Sequence, residues 1–153
     1  MDDRPVPWYV LPGPAPATRF TGVTREEGQS YGGLYEVRTT DGVWVRLHDM
    51  SFMDMTFEPA SPPSLRLRFV YDDPQYTPEG AVATPMAVFT FGNAVVLGQE
   101  DERPEPGTPA DWLRQVEEFS YDETTACFGL YTFTTSLVFT ASTCTLTLEP
   151  LPT

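Results

Sequence analysis

The sequence predicts an α+β domain that is mainly β: a twisted antiparallel sheet, rolled up or paired into a sandwich, with one packed amphipathic helix at about 108–119. Three observations carry that expectation. Apolar residues recur with a period of two, as in Leu65, Leu67, Phe69 and Tyr71 with Arg66 and Arg68 between them. Turn dipeptides and proline-rich joints interrupt these runs at short intervals. One stretch, GTPADWLRQVEEF, changes to a helical period. The 153 residues are the size of a single domain, 1–153, and can bury roughly 70% of their unfolded surface without metal or disulfide.

Five of the sixteen prolines fall in residues 1–17, which forbids a helix there and reads as an extended arm ahead of a β-rich body at 18–153. GLYEVRTTDGVWVRL gives two alternating runs about Asp41-Gly42, a dipeptide favoured in hairpin turns. Met53, Met55 and Phe57 are then expected on one face of a strand, followed by the Leu65–Tyr71 strand across the loop EPASPP. YDDPQYTPEG is turn chemistry, and MAVFTFGNAVVL is a long strand bent at Gly92-Asn93. In the helical stretch, Thr108 is expected as N-cap, Pro109 at the first helical position and Asp111 in a capping box. Trp112, Val116 and Phe119 form its apolar face. The C-terminal part, rich in Thr, Phe and Leu, reads as two or three strands, for about seven to nine in all.

Charge narrows the chemistry. Nine basic residues against 22 acidic give −13, and all nine are arginine. Without lysine there is no Schiff-base chemistry and no P-loop lysine. A field this negative repels phosphates, so no nucleic-acid partner is expected, whereas a basic protein is attracted. Residues 99–123 hold nine acids against Arg103 and Arg114, a net −7 and more than half of the total. Within that region Glu100, Asp101, Glu102, Glu105, Glu117 and Glu118 are the residues expected to meet a basic partner.

The reactive side chains are few. His48 is the sole histidine, and Asp49 behind it would point to the opposite face of a strand, so the pair reads as structural. Asp72-Asp73-Pro74 reads as a turn cap rather than a calcium or acid–base site. Cys127 and Cys144 lack a C-x-x-C partner, and with one histidine they offer no zinc set. No catalytic residue, metal or cofactor is assigned. MDDRPVPWYVLPG has no apolar run of signal-peptide length, and no stretch approaches a membrane span, so a cytoplasmic location with free thiols is expected.

LHDMSFMDMTFE, SLRLRFVYDD, FTFGNAVVL and FGLYTF…LVFTASTCTLTLE stand in an order that resembles a group of small bacterial β-rich proteins. These begin with His-Asp, continue with L-x-L-x-F, carry F-x-N-x-x-x-L with Val or Ala after the Asn, and close on an alternating strand. Some are similar to immunity proteins of toxin systems. The resemblance covers about two-thirds of the chain, leaves the first forty residues unexplained and carries over no catalytic residue. It implies a β-rich protein, and for the immunity-like members a protein partner, in keeping with the acidic surface, since many toxins that attack nucleic acid are basic. The expected function is therefore a non-enzymatic, immunity-type protein-binding module. Two alternatives stand beside it: a small hydrolase using His48 and carboxylates, and a β-barrel carrier of an apolar ligand, to which the G-x-W in DGVW points.

Overall fold

A computed structural model describes residues 17–24 and 33–152; the predicted arm, up to residue 16, lies outside the described residues. The strands are β1 Arg19–Thr21, β2 Val23–Thr24, β3 Glu36–Thr39, β4 Trp44–Arg46, β5 Ser51–Glu58, β6 Ser64–Val70, β7 Met86–Gly92, β8 Val95–Asp101, β9 Val116–Asp122, β10 Cys127–Thr132, β11 Thr135–Thr140 and β12 Thr143–Glu149. Nine of them form two main sheets, in the orders β1-β12-β7-β6-β5 and β8-β11-β10-β9; β2, β3 and β4 make a small third sheet. Pairing is antiparallel except between β1 and β12. Among the described residues no helix is long and apolar enough to cross a membrane.

Local chemistry explains most boundaries. The β3–β4 hairpin turns where expected, with Gly42 at φ +85° and the Gly42 amide donating to the Thr39 carbonyl at 2.9 Å. The predicted bend at Gly92-Asn93 is a change of sheet. Asn93, at φ 53°, carries the chain from β7 in one main sheet to β8 in the other. Ala141-Ser142 performs the reverse switch beside it, fastened by the Ser142 amide on the Gly92 carbonyl at 2.8 Å. Thr18 clasps this corner, its hydroxyl donating to the Ala141 carbonyl at 2.6 Å and its amide to the Tyr121 hydroxyl at 2.9 Å.

Between the main sheets lies a core of phenylalanines. Phe69, Phe89 and Phe91 of the five-stranded sheet meet Phe119, Phe128 and Phe139 of the four-stranded sheet, all 0–1% exposed. Ring centroids are 4.7 Å apart for Phe91–Phe139, 4.9 Å for Phe91–Phe128 and 5.2 Å for Phe89–Phe119, each edge to face. β9 starts over β5, where Gln115 bridges Ser51, passes Phe69 and Phe89 with Phe119, and ends with Tyr121 against Phe20 of β1. It thus passes from β5 to β1 across the five-stranded sheet, and strands switch sheet at the corner. The third sheet closes one end. The Tyr71 hydroxyl accepts from the Arg46 amide at 2.8 Å and donates to the Trp44 carbonyl at 2.9 Å; burial pushes its pKa up.

The helix predicted at 108–119 is absent. Ala110–Arg114 is a short 3₁₀ turn preceded by extended Pro109, and the rest of the segment is β9. Thr108 does not cap it; its hydroxyl turns back to the Glu105 carbonyl at 2.7 Å. The helical period was produced by a β-bulge. Tyr131 pairs with Glu118 but Thr132 pairs with Val116, so Glu117 is an extra residue and Val116 and Phe119, three apart, both face inward. A second bulge moves the β5 face: Phe52 pairs with Phe69 and Asp54 with Arg68, so Met53 is extra. Phe52, rather than the predicted Met53, joins Met55 against the core.

Candidate functional site

The outer face of the four-stranded sheet is read from its register. Glu100, Ser136, Tyr131 and Glu118 form one cross-strand row, and Gly98, Val138, Gly129 and Ser120 the next. The two glycines leave the second row shallow. A methyl group at Gly129 would lie 3.0 Å from Cε2 of Tyr131, whose ring folds over this position. Glu100 and Glu118 stand at opposite edges, roughly 14 Å apart over three strand spacings.

At one end of this face the segment after β8 wraps around the β10–β11 hairpin. The Glu102 amide still bonds the Thr134 carbonyl at 2.8 Å, prolonging the ladder by a residue. Gly107, at φ +89°, then turns the chain back, with the Thr108 amide on the Glu105 carbonyl at 3.1 Å. The 3₁₀ turn sets Trp112 against Phe133 at the hairpin tip, with centroids 5.8 Å apart. The result is an open cleft of about 430 Å³ whose walls include Glu102, Glu105 and Glu117 and the rings of Trp112, Tyr131 and Phe133. Among the described residues Arg103 is the one cation in its lining. Trp112 stays 45% exposed, so its ring is open to a partner.

The six acids expected to bind a partner therefore divide. Glu102, Glu105 and Glu117 converge in the cleft. Glu118 and Glu100 sit in the adjoining row, beside Tyr131 and Ser136. Asp101 accepts from the Thr135 hydroxyl at 3.2 Å, one residue along β8 and so on its other face. The sequence pattern alone does not mark Trp112, Tyr131 and Phe133 for binding. The signal available was Phe133 itself, a bulky apolar residue at a hairpin tip where turn residues are polar.

Other reactive residues lie apart. His48 is exposed in a 3₁₀ turn, Leu47–Asp49; its Nδ1 is 3.4 Å from the Tyr35 hydroxyl, a long contact. Burial, and then the Asp49 charge, raise the pKa of Tyr35. Ser51 donates to Asp72 at 2.6 Å, a pair that does not include the imidazole. Asp73 accepts from the Gln75 amide at 2.9 Å and caps the turn that Pro74 opens, as its sequence suggests. A second depression of about 200 Å³ lies by Tyr71, Asp72 and Pro85, and His48 lines neither cleft. Cys127 and Cys144 are buried, unpaired and in different sheets, and burial pushes the Cys144 thiol up. The Trp of the G-x-W motif is in the third sheet, with the Arg38 and Arg46 guanidinium carbons 4.3 and 5.0 Å from its ring centre. Among the described residues no three His, Cys, Asp or Glu side chains are grouped to hold a metal. In comparisons with known proteins, no family model, curated protein or solved structure matches the chain.

Proposed function

We propose that this protein is a non-enzymatic binding module that holds a basic protein partner at the outer face of its four-stranded sheet, with the acid-and-aromatic cleft as the anchor. The observation that carries this reading is the convergence of Glu102, Glu105 and Glu117 with Trp112, Tyr131 and Phe133 in one open cleft. Carboxylates alone would attract any cation weakly through water. Aromatic walls add a desolvated surface on which a guanidinium can stack while its nitrogens reach the acids. Stacking of this kind contributes about 0.5–2 kcal/mol, and the wider −7 region speeds the encounter. An immunity-type role, in which such a face masks a basic toxin, is the narrowest form of the proposal.

Ser51 donates to Asp72 rather than to His48, and His48 lies outside the cleft lining, which gives a hydrolase no support; the phenylalanines between the sheets occupy the space a carrier would need. The test is capture of partners from the native host by the wild-type chain and by a Glu102→Arg, Glu105→Arg, Glu117→Arg variant. Wild type is expected to retain a basic protein that the variant releases. Equal capture by both, or capture of acidic proteins only, removes the proposal.

A further inference from the structure

Sheet edges expose backbone donors and acceptors, and a fold covers them, shortens them or leaves them to a partner. β9 is met at its edge by the Gly33–Ser120 bridge and by the Leu34 amide on the Phe119 carbonyl at 3.0 Å. β5 is met by the Ser51–Gln115 bridge and by Arg114, whose Nε donates to the Phe52 carbonyl at 3.2 Å. β1 has three residues. β8 has seven, pairs with β11 on one side, and among the described residues has no backbone hydrogen bond along its other side. It begins with Val95 and Val96, 53% and 38% exposed, and ends in Glu100-Asp101, continuing to Glu102 at the cleft.

We propose that β8 is a docking edge on which an extended basic segment of the partner adds as a fifth strand of this sheet. The inference rests on the basic-partner reading and assigns the mode of binding. In strand addition, main-chain hydrogen bonds supply affinity, and alternate side chains supply selectivity. Here the two exposed valines favour β-branched residues on the incoming strand, and the carboxylates at the other end favour arginine or lysine. A second copy of this chain fits poorly. Paired in parallel it sets acid against acid; paired antiparallel about Gly98 it sets Glu100 and Asp101 against the valines. The bulge at Leu97, left over where Val138 pairs with Gly98 and Phe139 with Val96, twists the edge away from a flat twin. A free, cationic segment meets neither obstacle.

The probe is a synthetic peptide of about ten residues, alternating valine and threonine and ending in arginines, made with the arginines at either terminus. It is titrated into the full chain while amide hydrogen exchange is followed residue by residue. Protection is expected to rise across Val95–Asp101, with a copy N-methylated at alternate residues binding at least ~tenfold more weakly. A copy with glutamates replacing the arginines should leave the exchange unchanged. If the arginine peptide binds but N-methylation is harmless and protection rises only at 102–117, the cleft reading stands and strand addition is wrong. If the glutamate copy protects β8 and the arginine peptide does not, the basic-partner reading fails with it. Protection of β8 that grows with protein concentration alone makes a second copy the occupant and overturns the proposal.

Discussion

Gly22 and Gly42 share a left-handed backbone, at φ +83° and +85°, yet their surroundings differ. A methyl at Gly42 meets nothing within 4 Å, whereas one at Gly22 would sit 2.2 Å from the Leu146 carbonyl oxygen, which belongs to the backbone of β12. Gly42→Ala should therefore lose about 1–2 kcal/mol, the conformational penalty alone. Gly22→Ala should lose at least about 3 kcal/mol, because β1 must move off β12. Urea unfolding of the two variants measures the gap, and equal losses would mean that this approach is not as close as described. Asp54 makes a pH-dependent contribution of the same local kind. Arg68 donates Nε to its Oδ1 at 2.7 Å and Nη2 to its Oδ2, and the hydrogen-bonded guanidinium holds the carboxyl below its usual range. A depressed folded pKa contributes stability above the unfolded value and loses it as pH falls through the folded one. Both side chains are partly solvated, at 38% and 22% exposed, so screening reduces the effect to about 0.5–1 kcal/mol. Asp54→Asn should be destabilised by that amount at neutral pH, and the difference from wild type should close as pH drops below roughly 4. A gap that persists in acid would point to packing rather than charge.

Elements show why some local patterns could be read and others not. At Glu118, exposed on β9 and paired across to Tyr131, strand and helix predict opposite signs for Glu118→Thr. In a strand the β-branched residue gains roughly 0.5 kcal/mol against the aromatic ring. In a helix it would lose a similar amount, and denaturant midpoints decide between them. The hairpin at Asp41-Gly42 and the Leu65–Tyr71 face were legible because turn chemistry and alternation are written within a few neighbouring residues. The bulges at Glu117 and Met53 were not, since a bulge exists only relative to its partner strand. In β9 it turned a strand period into a helical one; FSYD, just beyond, alternates as a strand does. The break at Gly92-Asn93 was visible, but its destination in another sheet depends on Ala141-Ser142, nearly fifty residues later. The candidate site divides in the same way. Its acids could be counted along the chain, whereas the walls of the cleft come from 102–117 and 131–136 and meet only after β9, β10 and β11 align.

At the scale of the molecule, two properties belong to no single element: the shared core and the net charge. Phe91 touches Phe89, Phe119, Phe128 and Phe139, linking rings from both main sheets. Phe91→Ala should cost about 3–5 kcal/mol and lower both sheets in one transition, with midpoints followed by backbone amide signals from each main sheet still coincident. Separate midpoints would mean that the sheets hold themselves up independently. Charge acts more widely, and salt separates its two consequences. With −13 on the chain, self-repulsion opposes the compact state, while the −7 region draws a cationic partner. Raising ionic strength from ~0.01 M to ~0.1 M shortens the screening length from ~30 Å to ~10 Å. The fold should become more stable, while association with the basic partner becomes slower, the fall lying mainly in the on-rate. Glu102→Gln, Glu105→Gln, Glu117→Gln should flatten the salt dependence of association yet leave most of the salt stabilisation, because ten of the thirteen net charges remain. Stopped-flow association and urea unfolding, run in the same buffers, give the two slopes. An on-rate indifferent to salt would remove electrostatic steering from the binding reaction, whatever the fold's own response.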